Sequence, residues 1–156
     1  MKIKWKPLLI NLAIPLAVGG LSALLTRKSM EFYETVNKPS FAPPGTVFPI
    51  VWTILFLLMG VSAYLVWVEE KSHLRSQALW IYGAQLVVNF CWPLLFFQVR
   101  AFLPAFVWLL ALIILVAVMI GLFRRVKPAA GWLQVPYLLW LLFAGALNLG
   151  VWLLNR

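Results

Sequence analysis

Acidic side chains are nearly missing from this chain: four glutamates and no aspartate stand among 156 residues, beside one histidine and one cysteine. Glu31, Glu34, Glu69 and Glu70 all fall between apolar runs, as does His73, and no lysine lies near the centre of a run. Proton relays and ion-coupled pumps place ionisable groups at membrane depth, so neither is expected here. General acid-base catalysis by a buried carboxylate or imidazole is excluded on the same inventory. A histidine-held haem or a catalytic zinc inside a bilayer would find no ligands, and no metal site is expected. Cys91 lies within an apolar run, which removes any disulfide framework or cysteine metal cluster and suits a small packing residue.

What fills the chain instead is apolar: 64% of residues are hydrophobic and only 11% charged, more than a soluble domain of this size could bury. At about 20 apolar residues per membrane-spanning helix, the length holds five spans and no separate soluble domain. The expectation is an all-α polytopic membrane protein, residues 1–156 forming a single five-helix transmembrane domain whose main partner is the lipid bilayer. The net charge of +9 does not indicate nucleic acid, because the basic residues punctuate the apolar runs instead of gathering on one solvated face.

The spans are placed at about 7–25, 46–68, 76–97, 102–123 and 132–154. The first follows Lys2, Lys4 and Lys6, as a signal peptide would, but it is long for one and no A-x-A site follows, so a retained helix is expected. The connection 27–45 is the longest, and Pro39, Pro43 and Pro44 stiffen its second half into extended or turn geometry. Such a loop either caps helix ends or forms a lid over a cavity. Lys2, Lys4, Lys6, Lys71, Arg75, Arg124, Arg125 and Lys127 fall on one side; Arg27, Lys28, Lys38, Arg100 and Arg156 fall on the other. That excess of basic residues predicts a cytoplasmic N-terminus and an outward-facing proline loop, and the lean loops point to a bacterial cell membrane.

Nine tryptophans and a few amides supply the interior chemistry. Phe48, Trp52 and Phe56 recur every four residues on the second span, as do Trp140, Ala144 and Asn148 on the fifth, and each set therefore shares one helical face. Tyr82, Gln85, Asn89 and Trp92 form a polar-aromatic face on the third, and the first offers Asn11, Ser22, Gly19 and Ala23. Trp5, Trp80, Trp132 and Trp152 fall near span ends, where aromatic belts mark the interface. The remaining stripes fit either helix packing or a pocket for a planar apolar ligand that stacks on indole. Gly19 with Ala23, or Ala117 with Gly121, offers small faces for oligomerisation.

Lys38-Pro-Ser-Phe-Ala-Pro-Pro-Gly45 followed by Val47-Phe-Pro-Ile-Val-Trp-Thr53 resembles the motif of the translocator protein family, also called tryptophan-rich sensory proteins or peripheral-type benzodiazepine receptors. Pro136-Tyr-Leu-Leu-Trp140 with Phe143, Ala144, Leu147 and Asn148 resembles its fifth helix, and Asn89 with Trp92, Pro93, Phe96 and Phe97 its third. The resemblance covers nearly the whole chain. It implies a five-helix bundle, often a homodimer, closed by the first loop and binding porphyrins such as protoporphyrin IX or haem. Isoquinoline carboxamide and benzodiazepine-type ligands are implied as well. Matching positions place Tyr33, Pro43, Trp52, Phe56, Asn89, Phe90, Trp140, Ala144 and Leu147 around that ligand, with Phe48 and Asn148 on the same stripes. Two departures stand out: Phe41 occupies a position where the family usually has tryptophan, and the stretch after Asn148 lacks the tyrosine of the proposed sterol motif.

The leading expectation is a receptor or sensor that needs no cofactor and takes porphyrin as its ligand. One rival, implied by bacterial relatives, is light- and oxygen-dependent porphyrin breakdown, for which Trp52 and Trp140 would be the catalytic residues and porphyrin the substrate. The other rival is a tetrapyrrole or lipophile transporter, limited to uncoupled movement by the missing ionisable groups.

Overall fold

The computed structural model describes residues 2–156, and all regular structure among them is helical. The elements are α1 (Trp5–Thr26), α2 (Glu31–Thr35), α3 (Val47–Trp67), α4 (His73–Pro93), α5 (Phe102–Val126), α6 (Pro128–Leu133) and α7 (Val135–Asn155). A π-helical turn, Leu94–Gln98, continues α4. Five segments are long and apolar enough to cross a membrane: α1, α3, α4 with its π-turn, α5, and α6 with α7. The molecule is an all-α bundle of five spans.

Local chemistry sets the ends. Ser72 caps α4 by accepting from the Arg75 amide at 3.0 Å, so that helix starts at His73, three residues ahead of the span expected from 76. Pro93 then removes a donor where α4 gives way to the wider π-turn. The span expected at 132–154 is two helices: Pro128 opens α6, and Pro136 stands in the first turn of α7. Prolines suit a first turn because its amides have no intrahelical acceptor. The stretch 124–131 is correspondingly almost all helical, and the loop 27–45 contains α2, while its proline segment stays irregular.

Going round the bundle, α3 lies along α1, α1 reaches α4, α4 packs on α5, and α5 on α7 and α6. The α1–α3 approach is close: a Cβ on Gly60 would sit 2.8 Å from the Asn11 carbonyl oxygen and the Leu12 Cα. Ser62 ties α3 to α6 by donating to the Ala130 carbonyl at 2.7 Å. Long-range contacts sort the connections into two ends. At one, the Lys4 amide donates to the Tyr64 hydroxyl at 2.8 Å and Lys127 pairs with Glu69 at 3.8 Å. At the other, the Arg100 guanidinium stacks over Phe32 at 4.5 Å, and the Asn155 side chain both donates to and accepts from the backbone of Asn37. Trp5, Trp80 and Trp132 are exposed, as interface anchors require.

Candidate functional site

A cavity of about 440 Å³ opens at the second end, between α1, α3 and α4 beneath the connection 27–45. From α1 and the residue that follows it come Gly19, Ser22, Ala23, Thr26 and Arg27; from α3 and the turn before it Gly45, Thr46, Phe48, Pro49, Trp52 and Phe56; from α4 Asn89, Trp92 and Pro93. Met30, Glu34 and Phe97 complete the wall. Gly19 fits here without displacing the Phe56 ring, which a Cβ would run into.

Flat surfaces dominate the α3 side. The Trp52 ring stacks on Phe56 with centroids 5.5 Å apart, and meets Tyr137 at 6.1 Å and Trp140 at 6.5 Å edge-on. Phe48 is wedged against Tyr33 at 5.2 Å and Trp140 at 6.0 Å. Edge-to-face contacts of this kind hold rings in fixed orientations and stabilise by about 0.5–1.5 kcal/mol each beyond burial. Trp140 thus braces Phe48 and Trp52 from behind, and its buried indole nitrogen meets no acceptor.

The polar groups are few and tightly assigned. The Asn89 Nδ2 donates to the Tyr137 hydroxyl at 2.6 Å, which donates on to the Gln85 Oε1 at 2.7 Å. The Trp92 Nε1 donates to the Asn148 Oδ1 at 3.0 Å, and the Asn148 Nδ2 to the Phe102 carbonyl at 2.8 Å. Buried amides that cross between helices in this way fix helix register in a medium without competing water.

The connection 27–45 is fastened down. The Tyr33 hydroxyl donates to the Pro43 carbonyl at 2.7 Å, Lys38 Nζ donates to the Tyr33 carbonyl at 2.5 Å, and Pro39 lies against Gly150 of α7. Burial, helped by the neighbouring Glu34 charge, pushes the Tyr33 hydroxyl up to about 12.

The proline-bearing connection 27–45 borders an indole-lined cavity in a five-span bundle, and residues 11–153 match the model of the TspO/MBR family. The chain belongs to that family. It is 35% identical over 150 residues to the Tryptophan-rich protein TspO of Archaeoglobus fulgidus, covering 95% of this chain and 96% of the relative. It is 37% identical over 155 residues to the Tryptophan-rich sensory protein of Cereibacter sphaeroides, covering 99% and 95%. The human Translocator protein is 34% identical over 151 residues, covering 95% and 89%. Membership and the five apolar spans make this an integral membrane protein.

Within this TspO/MBR bundle the anticipated residues occupy two layers. Phe48, Trp52, Phe56 and Asn89 line the cavity itself. Tyr33 and Pro43 clasp each other in the connection 27–45, while Trp140, Ala144, Leu147 and Asn148 lie on α7 behind the wall. Phe90 is half-buried, and its carbonyl accepts from the Ser22 hydroxyl at 3.5 Å. The sequence marks Gly19, Ser22 and Ala23 on α1 as a small and polar face, Thr26 as a span end, Arg27 as a topology charge and Glu34 as a loop acid, and it assigns none of them to the site. The missed signal was spacing: Gly19, Ala23 and Arg27 fall four apart, as do Ser22 and Thr26.

Proposed function

We propose that this TspO/MBR protein is a membrane receptor or sensor that captures a planar, largely apolar ligand of the porphyrin class. The observation that carries the reading is the cavity: its volume lies in the range of small-molecule sites, its α3 wall is aromatic, and it holds isolated polar groups instead of a reactive cluster. The Asn89 Nδ2 is committed to Tyr137, which leaves its amide oxygen for a donor such as a ring N–H. Entry from the bilayer requires no ionisable relay. The names of two relatives, sensory protein and translocator protein, agree with a role in detecting or handling a ligand.

The test is quenching of tryptophan fluorescence by protoporphyrin IX, in the dark, with the purified protein in an uncharged detergent. Saturable binding weakened by Trp52→Leu is expected. Trp140→Leu should weaken it less, because Trp140 reaches the ligand only through Phe48 and Trp52. Linear quenching that neither substitution alters would defeat the proposal.

One further observation favours photochemical breakdown as a second reading. Trp52 touches both Trp140 and Tyr137, so an excited porphyrin against Trp52 would meet a connected group of oxidisable rings. Light-driven loss of porphyrin absorbance in oxygen, faster than in an inert membrane protein and abolished by Trp52→Phe with Trp140→Phe, would support it; an equal rate would remove it.

A further inference from the structure

Among the described residues, two charged side chains stand on the cavity wall, Arg27 and Glu34. Arg27 is exposed at the end of α1. Four other arginines are occupied: Arg75, Arg100, Arg124 and Arg156 each lie over an aromatic ring. Among the described residues, Arg27 lies over no ring, donates no hydrogen bond and has no acidic partner, the one ion pair there joining Lys127 to Glu69. A guanidinium carries five donors in a rigid fork matched to carboxylates, and this one is unspent at the mouth of an apolar cavity.

The surrounding fields do not cancel that charge. The carbonyl end of α1 and the amide end of α3 both border the mouth, and their partial charges of about half a unit have opposite signs. Glu34 is turned aside: its Oε1 lies against Gly45, 3.0 Å from where a Cβ would stand, and it makes no contact with Arg27 short enough to be an ion pair. Among the described residues, the mouth therefore presents one free cation, with an acid nearby that discourages a second anion.

Building on the porphyrin-class reading above, we propose that Arg27 is a specificity residue that selects ligands carrying a carboxylate. The flat body of the ligand lies along Trp52 and Phe56, and its acidic edge remains at the mouth with Arg27. A basic residue at a span end that served only lipid headgroups would have no reason to border the cavity, and it would not distinguish an acid from its ester inside.

The measurement compares protoporphyrin IX with its dimethyl ester as quenchers of the purified full chain, in the dark and in an alkyl maltoside free of added anionic lipid. The native protein should bind the diacid about threefold or more tightly than the ester, the effect of a partly exposed charge pair. Arg27→Gln should remove that preference by weakening the diacid alone, Arg27→Lys should keep part of it, and Glu34→Gln should strengthen the diacid without affecting the ester. An acid-to-ester ratio that all three variants leave unchanged would overturn the role of Arg27 while the pocket stands. Failure of both probes to saturate on the native protein would overturn the pocket reading and this inference with it. Arg27→Gln removes no hydrogen bond, ion pair or ring stack among the described residues, so it should fold; Glu34→Gln gives an independent reading if it does not.

Discussion

Tyr137 is the residue on which the buried polar chemistry turns. Its hydroxyl is at once the acceptor for Asn89 and the donor to Gln85, and all three side chains are buried among apolar helices. Tyr137→Phe would leave the Gln85 oxygen without a donor and free Asn89 to rotate on the cavity wall. The expected cost is about 1–2 kcal/mol, within the range for interhelical bonds and abandoned buried partners. In a chain of this size that corresponds to a Tm lower by about 2–8 °C in detergent, with weaker porphyrin quenching as a second readout. Tyr33 makes a different prediction, because its hydroxyl is pushed up to about 12 where the exposed group ionises near 10. A proton held more tightly in the folded form stabilises that form fully below pH 10, and the stabilisation is lost as pH rises toward 12. The Tm advantage of the native protein over Tyr33→Phe should therefore be constant up to about pH 10 and shrink between about 10 and 12. A difference that stays flat to pH 12 would show that the hydroxyl is not buried in the lid.

Between helices, the α1–α3 seam sets the wall of the cavity, and Gly60 sets the seam. The atoms that would meet a Cβ there include α1 backbone, which cannot swing aside as a side chain would. Gly60→Ala should force the two helices apart and cost about 1–3 kcal/mol, as overpacking does. Gly83 on α4 has open space around its Cβ position, so Gly83→Ala should be neutral or stabilise by up to about 1 kcal/mol through helix propensity. Thermal unfolding of the pair separates contact from propensity, and equal shifts would discredit the close seam. The same elements show what the sequence can and cannot reveal. Five spans are legible because long apolar runs permit little else in a chain this poor in charge. The division between α6 and α7 is hidden because Trp132 to Asn155 reads as one apolar run, although Pro136 was a visible start signal. The cavity face of α3 is legible from the four-residue spacing of Phe48, Trp52 and Phe56, whereas α1 is apolar all round and its cavity face does not stand out. Gly19 illustrates the difference: spacing marks it as a small face suited to helix contact, and the structure spends it on Phe56, leaving Ala117 and Gly121 exposed on α5.

At the scale of the whole molecule, the contacts fix which connections share an end but not which end faces the cytoplasm. The N-terminal segment meets the end of α3, and the α5–α6 turn meets the α3–α4 turn through Lys127 and Glu69, so these lie together. The lid and the C-terminus lie together at the opposite end through Asn37 and Asn155. Basic residues then decide orientation, because translocating them across the membrane is disfavoured. The N-terminal end carries Lys2, Lys4, Lys6, Lys71, Arg75, Arg124, Arg125 and Lys127, and the lid end carries Arg27, Lys28, Lys38, Arg100 and Arg156. Arg75 is folded back onto the Trp67 carbonyl, with Nη2 donating at 2.8 Å, but it is charged during insertion and counts. We expect the N-terminus inside and the lid outside, so a reporter that is active only after export should work when fused after Arg156. Changing Lys2, Lys4 and Lys6 together to glutamine would remove three of the eight and leave five basic residues at each end. With the bias gone, the fused reporter should fall to an intermediate activity as the population splits between orientations. Full activity in that variant would mean that the later connections alone set the topology, and an inactive reporter on the native chain would place the cavity mouth, and Arg27 with it, on the cytoplasmic face.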